Sequence, residues 1–180
     1  PFPLLFASML NSKLMKGQGF FKSVYFLPAL TSVVVAGTIF RLMFGEMDTS
    51  LANQIMELLG KSPIKWLKGE WTGYFALLIV ACWRWTGVNI LYFLAGLQSI
   101  PTDIYEAASI DGASKWQQFI KISFPLVKPT TVYVLTISIY AGLSMFLESF
   151  MLWKGNNSPQ NIGLTIVGYL YRQGIEKRAM

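Results

Sequence analysis

The stretch Trp71 to Leu97, WTGYFALLIVACWRWTGVNILYFLAGL, carries one charge, Arg84, in a run longer than the ~20 apolar residues needed to cross a bilayer. Aromatic residues gather at its start, as at a membrane interface. Working outward from it, Gly45 to Glu70 sets Glu46, Asp48, Glu57 and Glu70 against Lys61, Lys65 and Lys68, with Gly60 and Pro63 as breakers. This reads as a polar loop with one short helix. On the other side Gln98 to Pro129 is polar enough to be aqueous. Beyond these loops lie two more candidate spans. Val24 to Phe44 has Pro28 within its first turns, where proline is tolerated, and Arg41 near one end, placed to snorkel. Thr130 to Trp153 has no charge except Glu148. The expectation is an all-α membrane protein, a single transmembrane domain over 1–180, with spans at about 24–44, 71–97 and 130–153.

Composition agrees with this. Hydrophobic residues make up 53%, charged residues 13%, and mean hydropathy is +0.45, a membrane balance that excludes disordered, collagenous and coiled-coil chains. Cys82 is the one cysteine, so no intrachain disulfide forms. With no histidine, the commonest metal ligand and the usual general base are both missing. We therefore expect no metal site, no cofactor and no catalytic residue. The net charge of +6 suits either nucleic acid or the anionic face of a bilayer, but the fifteen Lys and Arg are scattered along loops. Membrane lipid is the favoured partner, and no nucleic acid is expected.

The chain opens Pro1-Phe2-Pro3 without an initiator Met, and Leu4 to Leu10 is too short to span, so it reads as the tail of an earlier helix. Ile162 to Tyr171 is likewise too short. Three spans would place 11–23 and 98–129 on one side and 45–70 and 154–180 on the other. Lys and Arg number six on the first side and seven on the second, so charge does not orient the domain.

The loop between the second and third spans is the most informative segment: SIPTDIYEAASIDGASKWQQFIKISFP, Ser99 to Pro125. It reads as two short helices. Pro101 suits a first helical position with Asp103 and Glu106 near the positive end, and Gly112 suits a left-handed stop. Ser114 can cap a second helix through Trp116, Phe119 and Ile120, with Pro125 forcing the exit. Ala107 and Ala108 allow another surface close, and Ile104, Tyr105, Ile110, Trp116 and Phe119 offer apolar area that a loop facing only water would not favour.

These residues resemble the EAA signature of permease subunits of binding-protein-dependent ABC importers. Glu106-Ala107-Ala108 is followed after three residues by Gly112, and after nine more by Ile122, with Pro125 closing the motif. The departure is Phe124, where the family usually has Leu, and it keeps the position apolar. YFLPAL at 25–30, AGLQSIP at 95–101 and IDGASKWQQF at 110–119 resemble the carbohydrate branch, and within it the arabinose and arabino-oligosaccharide type of permease. The resemblance covers essentially all 180 residues. It implies a MetI-like permease fold, a multi-span helical bundle with a cytoplasmic helix-turn-helix coupling loop over about 98–129, here a fragment incomplete at both ends. It also implies that Glu106, Ala107, Ala108, Gly112, Ile122 and Pro125 dock in a groove on an ABC ATPase subunit, which does the ATP hydrolysis. A second homologous permease subunit and an extracellular or periplasmic sugar-binding protein complete the implied partners. The implied location is the cell (inner) membrane, multi-pass, with 45–70 and 154–180 facing outward. A plainer reading of the loop makes Gly112 a helix stop and Glu106 a favourable dipole charge; the full spacing favours coupling.

Two polar stripes run along the spans. Tyr133, Tyr140, Ser144 and Glu148 share one face if the third span is one helix, and Cys82, Trp85, Asn89, Tyr92 and Gly96 share one on the second. Sugars are held by aromatic faces and polar side chains, so Trp85, Asn89, Tyr92, Tyr140, Ser144 and Glu148 suit a substrate path. Interhelical packing explains the same residues. Both readings stay open.

The favoured function is the transmembrane permease subunit of an ATP-driven carbohydrate importer, not itself an enzyme. An ion-coupled secondary carrier would use Arg84 and Glu148 without an ATPase and would not need such a loop. An intramembrane enzyme lacks histidine, a paired acidic motif and a Gly-rich phosphate loop.

Overall fold

The computed structural model describes residues 2–11, 17–155 and 157–177, among which all regular structure is helical. The helices are α1 (Phe2–Asn11), α2 (Gln18–Leu30), α3 (Val33–Met43), α4 (Leu51–Leu58), α5 (Glu70–Gln98), α6 (Thr102–Ile110), α7 (Lys115–Gln118), α8 (Phe124–Leu126), α9 (Lys128–Ser144), α10 (Leu147–Trp153) and α11 (Ile166–Tyr171). Two π-helical segments, Phe119–Ser123 and Arg172–Glu176, and one 3₁₀ turn, Pro159–Asn161, complete the set.

The chain forms two compact units: Pro1–Ala29 with Trp85–Ile139, and Leu30–Arg84 with Tyr140–Met180. In the first, α1 buries Leu4, Ala7 and Leu10, a three-residue repeat on one helical face. They pack with Ile90, Phe93, Leu94 and Leu97 from the second half of α5, at the i, i+3, i+4 and i+7 positions of one stripe, and with Ile100, Val127 and Val134. In the second unit Phe40 and Phe44 of α3 and its end meet Ala76, Leu77 and Val80 of α5 and Leu152 of α10. Asn53 of α4, 1% exposed, accepts from the Ile64 amide at 2.9 Å and the Trp66 indole at 2.8 Å through Oδ1, which pins the loop before α5.

Among the described residues α5 is the one helix long and apolar enough by itself to cross a bilayer. The helix expected over 24–44 is instead two, interrupted at Thr31 and Ser32, and it begins earlier, at Gln18. Pro28 inside α2 has no N–H and crowds the carbonyl of Val24, and Val33, Val34 and Val35 are stiff β-branched residues. The expected single helix over 130–153 is also two. α9 stops at Ser144, Phe146 takes φ −130°, and α10 begins at Leu147. Phe146 leaves the helical path to place its ring 5.1 Å from that of Tyr171 and 5.3 Å from that of Phe150. The loop helices 115–126 and α9 pass the length and composition test for a span together, with a 62° bend. The start of the expected 11–23 loop lies partly outside the described residues.

Candidate functional site

The segment 99–126 folds within the first unit as two short helices whose shared junction is hydrogen-bonded on both sides. α6 starts one residue later than the sequence suggests, with Pro101 as its cap. At its end Gly112 has φ +77°, and the amides of Gly112 and Ala113 reach back to the carbonyls of Ser109 at 3.1 Å and Ala108 at 2.9 Å. This is the Schellman arrangement, which requires the left-handed glycine. Ser114 then opens α7 with a capping box: its Oγ accepts the Gln117 amide at 3.3 Å, and Gln117 Oε1 accepts the Ser114 amide at 2.7 Å.

The exit differs from expectation. Pro125 does not end the second helix but sits inside the α8 turn, and the chain turns at Val127. The preceding residues open into a π-helical turn in which the Phe124 amide bonds the Phe119 carbonyl. Widening the ladder just before proline accommodates its missing N–H, which is harmless in the first turn of the next helix.

Two side-chain pairs pin the helices to each other, and sequence reading missed both. Tyr105 Oη and Ser123 Oγ are 2.8 Å apart. Gln118, 4% exposed, donates through Nε2 to Ser109 Oγ at 2.8 Å and to the Ala113 carbonyl at 3.2 Å. A buried Gln or Ser carries no periodic signal, so only the packing reveals the pairing. Outside this brace, Glu106 and Ala107 are exposed and Ala108 is half-buried. Ile110 is 87% and Trp116 67% exposed, a large apolar area on a polar loop. Ile122 and Gly112 border a cleft of about 350 Å³ together with Ala108, Asp111, Gln117 and Lys121.

The polar residues of the spans are distributed over both units. In the first unit the rings of Tyr92 and Tyr133 meet edge to face at 5.3 Å, and Trp85 and Asn89 are partly exposed on the same helix as Tyr92. Gly96 is a packing position: a Cβ there would lie 2.6 Å from Thr130 Oγ1. In the second unit Tyr140 is 72% exposed, while Ser144 Oγ donates to the Tyr140 carbonyl at 2.7 Å, a bond within its own helix. Glu148 is not on that helical face, because the break at Met145 and Phe146 intervenes. Instead it is buried and meets Arg84: Nε lies 3.3 Å from Oε1, with the side chains 16% and 10% exposed. Arg84 Nη1 also donates to the Thr31 carbonyl at 2.9 Å. Among the described residues no three Cys, Asp or Glu side chains converge as metal ligands would.

Among the described residues, one unbroken apolar helix and two bent pairs long and apolar enough to span mark a helical membrane domain. Comparison with known proteins gives its family. The profile of the family described as "Binding-protein-dependent transport system inner membrane component" matches residues 2–176, and the chain belongs to that family. It is 60% identical, over all of its length and 57% of the relative's, to the arabinooligosaccharides transport system permease protein AraP of Bacillus subtilis. The AraP protein of Halalkalibacterium halodurans is 53% identical over 99% of this chain and 56% of the relative. The chain thus spans little more than half the length of these relatives. Its fold is that of a chain in the crystal structure of a bacterial ABC transporter that imports the acidic polysaccharide alginate, with TM-score 0.87, 24% identity, and coverage of 99% of this chain and 62% of that one.

Proposed function

We propose that this chain forms the permease part of an ATP-driven carbohydrate importer in the inner cell membrane, crossing it several times, and itself hydrolysing no ATP. The observation that carries the reading is the braced pair of helices at 102–126. An element that transmits displacement must be stiff, and here the junction between the two helices is capped on both sides and two side-chain pairs span them. Its exposed Glu106, Ile110 and Trp116 offer a charged and apolar contact to an ATPase subunit on the cytoplasmic side. A second permease subunit would cover further exposed apolar helix faces, and a solute-binding protein would deliver substrate from outside. The relatives named for arabino-oligosaccharides favour that class of substrate, with Trp85, Asn89, Tyr92, Tyr140 and Ser144 as candidate contacts along the path.

The test is to purify the full-length protein from detergent, ask whether an ATPase subunit accompanies it, and measure uptake of labelled arabinose and arabino-oligosaccharides in a deletion strain carrying it. Co-purification with ATP-dependent uptake is expected. Uptake that persists without ATP but collapses with the ion gradient, with no ATPase bound, would favour an ion-coupled carrier working through Arg84 and Glu148.

A further inference from the structure

Both helix breaks of the second unit converge on one guanidinium. Arg84 stands near the middle of α5, the unbroken helix. The Thr31 carbonyl, to which its Nη1 donates at 2.9 Å, belongs to the interruption before α3. Glu148, 3.3 Å from its Nε, belongs to the first turn of α10, just past the second interruption. A break in a helix frees backbone groups that need polar partners, and in an apolar setting leaving them without any is costly. Arg84 supplies a partner to one break and a counter-charge to the other, so the two share a tie through α5.

Such a tie is a poor way merely to add stability, because a buried ion pair often contributes no more than an apolar set of the same shape. What it does is specify one arrangement. It is also releasable, since its members are polar and can be taken over by water or by another polar group, which an interdigitated apolar contact cannot. In secondary transporters discontinuous helices turn freed backbone atoms and helix ends towards the path, around which the moving parts rock or gate. We propose that Arg84 is a positioning residue: the Thr31–Arg84–Glu148 bridge holds both helix breaks in one arrangement and parts during each transport cycle. This rests on the importer reading given above.

The test compares the full-length wild-type protein, assembled with its partner subunits in proteoliposomes, with Arg84→Lys and with the double variant Arg84→Gln/Glu148→Gln. The double variant leaves no buried unpaired charge, so its assembly and melting temperature should stay close to wild type. Its saccharide uptake should fall at least about fivefold, and its ATP hydrolysis without the binding protein should rise at least about fivefold, the usual lower size of a conformational coupling. Arg84→Lys should behave alike, since a compact ammonium cannot present the guanidinium fork to both partners. Assembled variants with wild-type uptake and wild-type dependence on the binding protein would overturn the proposal. So would an uptake loss that only follows the loss of folded complex, because a purely structural bridge does that. A wild-type complex that takes up no saccharide overturns the importer reading instead, and this inference with it.

Discussion

Gly112 shows how a single residue sets the turn between α6 and α7. Its φ of +77° lies where a β-branched side chain is strongly disfavoured, although open space surrounds it. Gly112→Val should therefore act through the backbone, costing at least ~1 kcal/mol and tilting α7 away from α6. Uptake should fall while the protein still reaches the membrane; wild-type uptake with the ATPase bound would show that the loop does not couple. Gln118 makes a complementary case. Gln118→Ala removes both hydrogen bonds that tie it to α6 and its end, and should cost about 1–3 kcal/mol, read as a lower melting temperature of the purified full-length protein. The glycine was legible in the sequence because a stop between two capped helices demands a left-handed residue. Gln118 was not, because nothing local distinguishes a buried glutamine from an exposed one.

Among the elements, the paired loop helices depend on Tyr105 and Ser123 for their second pin. Tyr105→Phe keeps the ring against the core of the first unit but removes the hydroxyl, which should cost about 1 kcal/mol and increase hydrogen exchange of the 119–123 amides. Unchanged exchange there would mean the π-helical turn is held by the backbone alone. In α9, Tyr140 and Ser144 lie one turn apart and Leu143 lies to the side. If this face contributes to the sugar path, Tyr140→Ala should weaken uptake more than Leu143→Ala, through loss of a stacking surface. The reverse order would make the face a packing surface. Glu148 no longer belongs to this comparison, since α10 carries it to Arg84. The expected stripe assumed one continuous helix, and Phe146 leaves that helix for an aromatic cluster with Phe150, a turn further on, and Tyr171, from elsewhere in the chain.

At the scale of the whole molecule, topology is the property on which the functional reading turns, and charge counting does not decide it. With Cys82→Ala as background, single cysteines at Ser62 and Ser114 should react differently with an impermeant thiol reagent in intact cells. Ser62 should label directly and Ser114 only after permeabilisation. Labelling of both from outside would contradict a cytoplasmic coupling loop. The pair is suited to the test because both serines are exposed, Ser62 beyond the end of α4 and Ser114 at the start of α7.

The sequence by itself determined the helical membrane class, the position of α5 to within a residue at each end, the short helix α4, and the two-helix loop at 102–118 with its glycine junction. These follow from composition, from uninterrupted apolar length and from caps and stops, all of which act between near neighbours in the chain. Only the tertiary structure decided where the other long apolar runs break, and what Arg84 and Glu148 do. A helix break is settled by whether its freed groups find partners, and the partners of Thr31 and Glu148 lie on α5, far along the chain. Local pattern contains no record of a contact between residues so widely separated, so whether Arg84 and Glu148 meet could not be read until the fold brought both breaks to Arg84.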